Sequence, residues 1–152
     1  MRSRRPTLVL AAALAAAVLV PGAARADVGL GVFVGEPTGL DLKIDVEQRS
    51  ALDIVLGLST FRDGHANYGH LTYLITPFVG RGRSVSVPLR LGIGVAVFDV
   101  GRDTDVAVRA PFEIGFRFRA PIEIYAEITL LVPFVHDVYA DLDGGLGFRI
   151  YF

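Results

Sequence analysis

Three histidines, His65, His70 and His136, are the side chains best suited to moving protons near neutral pH. Ser59 and Thr60 stand just before the first two, with Asp63 between. A hairpin joining the flanking segments would bring a hydroxyl nucleophile, an imidazole base and a carboxylate within reach of one another. Polar side chains on turn loops are the plainer reading of the same residues, and it outweighs catalysis, so no enzymatic activity is expected. The histidines are too scattered for a metal site and the chain has no cysteine, so neither metal nor cofactor is expected.

A larger set of reactive side chains alternates with small ones. Asp41, Lys43, Asp45, Asp53, Arg90, Arg109, Glu113, Arg117, Glu123, Glu127, Asp141, Asp143 and Arg149 recur at two-residue spacing, interleaved with Gly29, Gly31, Gly57, Gly92, Gly94, Gly115, Gly145 and Gly147. Five of these charges are positive and eight negative, a mixture that must pair wherever water is scarce. Their chemistry is therefore either that of a lined channel or that of a salt-bridged plug. Which one applies depends on the elements that carry them.

The chain has 152 residues, 52% of them hydrophobic and 20% charged, with a mean hydropathy of +0.49. That length suits one domain, and the hydropathy exceeds that of most soluble domains. Residues 1–26 read as a secretory signal: Arg2, Arg4 and Arg5 precede an apolar run from Leu8 to Val20, then Pro21-Gly22 and the small-residue series ending at Ala26. The run falls short of the roughly 20 residues a membrane-spanning helix needs. Cleavage between Ala26 and Asp27 would remove four arginines, leaving 11 Lys plus Arg against 16 Asp plus Glu. A net charge of about minus five argues against binding nucleic acid by bulk charge.

From Asp27 onward the apolar residues alternate with period two. Eight strands are expected, at Val28–Gly35, Gly39–Val46, Ala51–Phe61, His70–Phe78, Val85–Phe98, Val106–Phe118, Ile122–Val132 and Val138–Phe152. Breaks such as Glu36-Pro37-Thr38, Arg62–Gly69 and Gly80–Arg83 carry turn residues and are too short for parallel crossovers, which favours antiparallel hairpins. About 16 residues per strand and turn exceeds the roughly 8 to 12 of soluble sandwiches and suits membrane strands of about 9 to 11 residues.

Leaving out the irregular fourth strand, one face of this pattern holds 41 positions without a charge, and the other holds the thirteen charges named above. A soluble β-sandwich could bury the aliphatic face. Its solvated face, however, would be expected to carry Thr, Lys and Ser rather than glycine alternating with charge, since glycine weakens a strand unless something must approach it closely. An eight-stranded barrel cannot hold some 40 aliphatic side chains inside. Reversed, it faces lipid with aliphatics and fills a narrow lumen with glycine and paired charge. The fold class expected is therefore all-β, an eight-stranded antiparallel up-and-down transmembrane β-barrel over residues 27–152. In so narrow a lumen the plug reading outweighs the channel, with Arg109, Glu113 and Arg117 expected to bridge to Glu123 and Glu127 on the next strand.

With the N-terminus in the periplasm, Phe116, Phe118, Phe148 and Phe152 arrive at one interface as a periplasmic aromatic girdle. The three histidines fall at the extracellular rim. Pro88 and Pro111 lie inside strands, where a missing N–H costs a ladder bond, and are expected at bulges or strand ends.

The last segment, Asp143 to Phe152, has Gly145 and alternating Phe148, Ile150 and Phe152, and resembles the assembly signal read by the outer-membrane insertion machinery of Gram-negative bacteria. Gly31–Leu40, Val108–Gly115, Pro121–Glu127 and Ala140–Phe152 together resemble small outer-membrane barrels of the OmpA/OmpX type, especially the family grouped under the domain of unknown function DUF3996. The resemblance covers nearly all of residues 28–152 and implies a barrel, not an activity. The expected product is a small integral outer-membrane barrel with a structural or surface-interaction role. Its expected partners are outer-membrane lipid and lipopolysaccharide, with the insertion machinery during assembly, and it is expected to be monomeric. The alternatives are a lipid A-modifying enzyme, a minor pore and a soluble periplasmic β-protein.

Overall fold

The computed structural model describes residues 27–59, 66–98, 104–135 and 140–152. The expected signal segment and its cleavage point at Ala26 lie outside them. Eight strands follow in chain order: β1 (Val28–Glu36), β2 (Thr38–Glu47), β3 (Ser50–Ser59), β4 (Ala66–Arg81), β5 (Val85–Phe98), β6 (Asp105–Phe118), β7 (Ile122–Pro133) and β8 (Asp141–Tyr151). Each pairs antiparallel with the next, and β8 pairs back onto β1, from Gly29 opposite Tyr151 to Glu36 opposite Gly144. The sheet is a closed barrel without an open edge, which satisfies the strand backbone on both sides.

The two faces separate as the alternation requires. Leu30, Leu40, Ile93, Ile128, Leu142 and Leu146 point outward and are half or more exposed, while Asp41, Lys43, Asp53, Arg90, Arg109, Glu113, Glu123, Glu127 and Arg149 are buried inside. Phe116, Phe118, Phe148 and Phe152 all lie on the outer surface, toward the end of the barrel that carries the turns at 48–49, 82–84 and 119–121.

Strand four differs most from its sequence reading. It runs 16 residues instead of nine, because Asn67, Tyr68 and Gly69 pair with β3 and Gly80 and Arg81 pair with β5 rather than forming turns. Its alternation is broken by a register shift between Ile75 and Phe78, so Thr76 and Pro77 form a bulge. Before it, Tyr68, His70, Thr72 and Leu74 face the interior and Leu71, Tyr73 and Ile75 face out; after it, consecutive Phe78 and Val79 are both exposed. An extra residue in one strand exchanges the two faces, which is what a period-two reading cannot follow. Strand eight is described from Asp141, and the proposed start at Val138 falls outside the described residues, as do Thr60 and Phe61 of the third strand.

Pro88 and Pro111 sit at neither a bulge of their own strands nor a strand end. On the β5–β6 ladder Ser86 faces Arg117 and Leu89 faces Ile114, while Leu91 faces Phe112 and Gly94 faces Arg109, so one register runs past both prolines. Each is instead matched with a glycine. A Cβ on Gly115 would stand 3.1 Å from the Pro88 ring, and one on Gly92 would stand 2.9 Å from the Pro111 ring. The glycines leave room for rings that point inward, and the ladder tolerates the missing donors without shifting.

Candidate functional site

The chemistry of this barrel is concentrated in its interior, and Arg149 on β8 is its centre. The guanidinium meets three carboxylates from three other strands: Nε lies 2.6 Å from Asp41 on β2, one terminal nitrogen 2.7 Å from Asp53 on β3, and the other 3.1 Å from Glu113 on β6. The Tyr125 ring lies under it, 3.7 Å from Cζ, and the Tyr125 hydroxyl donates to Asp41. Gly147, directly across from Tyr125 on β8, makes this stack possible, because a Cβ there would overlap the tyrosine ring.

Toward the end bearing the short turns, Arg90 pairs with Glu113 and stands 2.7 Å from Glu123, to which Tyr151 donates its hydroxyl. Beyond it, Lys43 pairs with Asp45, and Arg117 stacks 3.9 Å from the Tyr151 ring while reaching Asp27 at 2.8 Å and Asp45 at 3.5 Å. Toward the other end, Arg109 pairs with Glu127 and donates to Thr72 at 2.6 Å and Thr129 at 3.0 Å. That end is then filled by an apolar cluster of Tyr68, Ala96, Phe98, Ala107 and Leu131, with the Tyr68 and Phe98 rings edge to face at 5.0 Å. Charge in the middle is thus buried but partnered, the condition under which ionised groups persist away from water.

The pairs differ in detail from those the sequence suggested. Arg109 does bridge to Glu127, but diagonally, since Glu113 is the residue directly opposite Glu127. Arg117 faces Glu123 across the ladder yet pairs with Asp27 and Asp45, while Glu123 and Glu113 turn to Arg90. Asp141 is exposed at the start of β8, where its carboxylate accepts from the Leu142 amide, and Asp143 is partly buried one pair further in. Asp41 and Asp53, named from the alternation, belong to the network, and Tyr125 and Tyr151, which were not named, join it. Both tyrosines could have been found by parity, each two residues from a named charge on the same strand.

Of the supposed nucleophiles and base, Ser59 and His70 are not brought together. His70 is not at a rim: it is buried in β4, with Nε2 3.1 Å from Asp53 and Nδ1 3.0 Å from the Tyr68 hydroxyl. Ser59 is buried elsewhere and donates to Glu36. In the β3–β4 ladder Ser59 pairs with Ala66 and Val55 with His70, which separates serine from histidine by four rungs, about 13 Å. Thr60, Asp63, His65 and His136 lie outside the described residues. Among the described residues no group of three His, Asp or Glu is arranged to hold a metal ion.

No family model and no curated protein matches the chain, so the likeness to DUF3996 gains no support. The fold does match a solved structure, the N-terminal β-barrel domain of Pseudomonas aeruginosa OprF, with a TM-score of 0.68 and 13% identity over 84% of this chain and 98% of that one. At that identity the likeness shows the fold alone: the chain shares the β-barrel architecture of that domain.

Proposed function

We propose that the chain is a small integral outer-membrane β-barrel with a structural or surface-interaction role and a lumen plugged by its own side chains. One observation carries this reading. The outer face presents aliphatic side chains around the barrel, whereas ten acidic and basic residues among those described, Glu36 included, are buried inside, the inverse of a soluble protein. In water that outer face would be a liability; in lipid it is the required solvent, and a closed barrel is one of only two architectures that can span it. The strands, 9 to 16 residues long, suffice to cross at a tilt.

In this reading residues 1–26 are an export signal, the short turns face the periplasm, and Phe116, Phe118, Phe148 and Phe152 lie at the inner interface. The C-terminal residues Gly145, Phe148, Ile150 and Phe152 then serve recognition by the insertion machinery. The protein acts as a monomer contacting lipid and lipopolysaccharide, without cofactor or catalysis. Separation of Ser59 from His70 supports the non-catalytic reading.

Electrophoresis of unboiled and boiled membrane samples tests it. A closed barrel stays folded in SDS and migrates apart from its boiled form; equal mobility, together with release by a salt wash, would establish a soluble β-protein instead.

A further inference from the structure

The two ends of the barrel differ in charge. At the end of the short turns, Arg49 stands in the β2–β3 turn, Arg81 ends β4, Arg83 stands in the β4–β5 turn, and Arg117 and Arg119 stand at the end of β6, five arginines against Asp27, Asp45 and Glu47; at the other end the described rim includes Asp105, Asp141 and Asp143. Four of the arginines, Arg81, Arg83, Arg117 and Arg119, line a single cleft of about 430 Å³. Arg117 is held by Asp27 and Asp45. Arg81, Arg83 and Arg119 are exposed and make no ion pair among the described residues. Three exposed guanidinium groups around one concavity give it a positive potential that attracts anions, and guanidinium forks suit phosphate oxygens.

The cleft is also amphipathic. Val79 and Phe118 form part of its wall and are themselves exposed on the outer surface, where Phe78 and Phe116 continue the apolar face. A soluble anion would use the arginines and leave this wall idle. A ligand with a phosphate head and hydrocarbon tails would use both. We propose that the cleft seats the headgroup of an anionic phospholipid, with its acyl chains lying along the outer face of β4 to β6. The inference rests on the membrane reading above and adds to it a lipid preference located at one place on the rim. Arginine near an anionic lipid surface contributes about a fivefold gain in binding per residue.

The test uses the full barrel folded in zwitterionic micelles, offered equal amounts of dioleoyl phosphatidylglycerol and dioleoyl phosphatidylcholine, with retained lipid read by native mass spectrometry. The wild type should retain phosphatidylglycerol preferentially. Arg81→Gln, Arg83→Gln and Arg119→Gln should each weaken that preference about fivefold, and the triple variant more than tenfold, with the heat-dependent gel shift unchanged. Arg49→Gln, at the same end but outside the cleft, should leave it intact. Equal retention of both lipids, an Arg49→Gln loss as large as that of Arg83→Gln, or glycerol phosphate competing as well as the whole lipid would each overturn the site while the barrel reading stands. Absence of the gel shift in the wild type would overturn both.

Discussion

Arg149 and Asp53 sit on β8 and β3, strands that do not touch in the sheet, yet their side chains meet at 2.7 Å across the lumen. The same guanidinium reaches Asp41 and Glu113. A barrel this narrow is spanned by one arginine, and its middle is packed as a polar core. Replacing Arg149 with Met leaves three carboxylates buried without their shared partner, which costs roughly 3–5 kcal/mol by analogy with other broken buried pairs. Urea unfolding of the barrel in micelles should show that loss. Asp141→Asn, at an exposed strand start, should move the midpoint little.

Glu127→Ala should be destabilising but milder. It removes the carboxylate from Arg109, while Thr72 and Thr129 still accept from that guanidinium. With part of the hydrogen bonding retained, the loss should fall near the lower end of the range, about 3 kcal/mol. The same urea titration checks the order: Arg149→Met below Glu127→Ala, and both below wild type.

The faces of seven strands were legible because period-two alternation survives wherever the register is regular, as from Val85 to Phe98. The fourth strand was not, since the bulge at Thr76–Pro77 exchanges faces and Asn67-Tyr68-Gly69 has the composition of a turn. His70 was misplaced for that reason, and with it its supposed nearness to Ser59. The partner of each lumen charge was equally hidden. Long side chains in a closed barrel choose diagonal and cross-lumen partners, so Arg149 finds Asp53 from a position 96 residues away, which adjacency along the sequence cannot indicate. Pro88 and Pro111 become intelligible only once the register sets Gly115 and Gly92 opposite them.

Gly147→Ala should report the Tyr125 stack. Its new methyl would overlap the tyrosine ring that lies on Arg149, forcing the ring or the strand to shift. Overpacking of this kind costs about 1–3 kcal/mol. Trimming the ring with Tyr125→Leu frees space but removes the hydroxyl that donates to Asp41, so it is destabilising alone. The two changes should be less than additive when combined, because the methyl then has room. An additive double variant would mean that the two side chains do not share that space.

Plugging of the lumen makes a separate prediction about transport. Both halves of the interior are occupied: the paired charges fill the middle, and Tyr68, Ala96, Phe98, Ala107 and Leu131 fill the end opposite the short turns. An ion passing the described residues of that end would cross an apolar cluster whose one polar side-chain group, the Tyr68 hydroxyl, is already bonded to His70, which is a barrier whatever the charge beyond it. The barrel should therefore show no stepwise conductance in planar bilayers. Trimming the apolar end with Phe98→Ala and Leu131→Ala should still give none, because Arg109 and its partners close the next layer. Stable conductance steps from the wild type would establish a pore, and steps appearing only in the double variant would show that the apolar cluster alone is the gate.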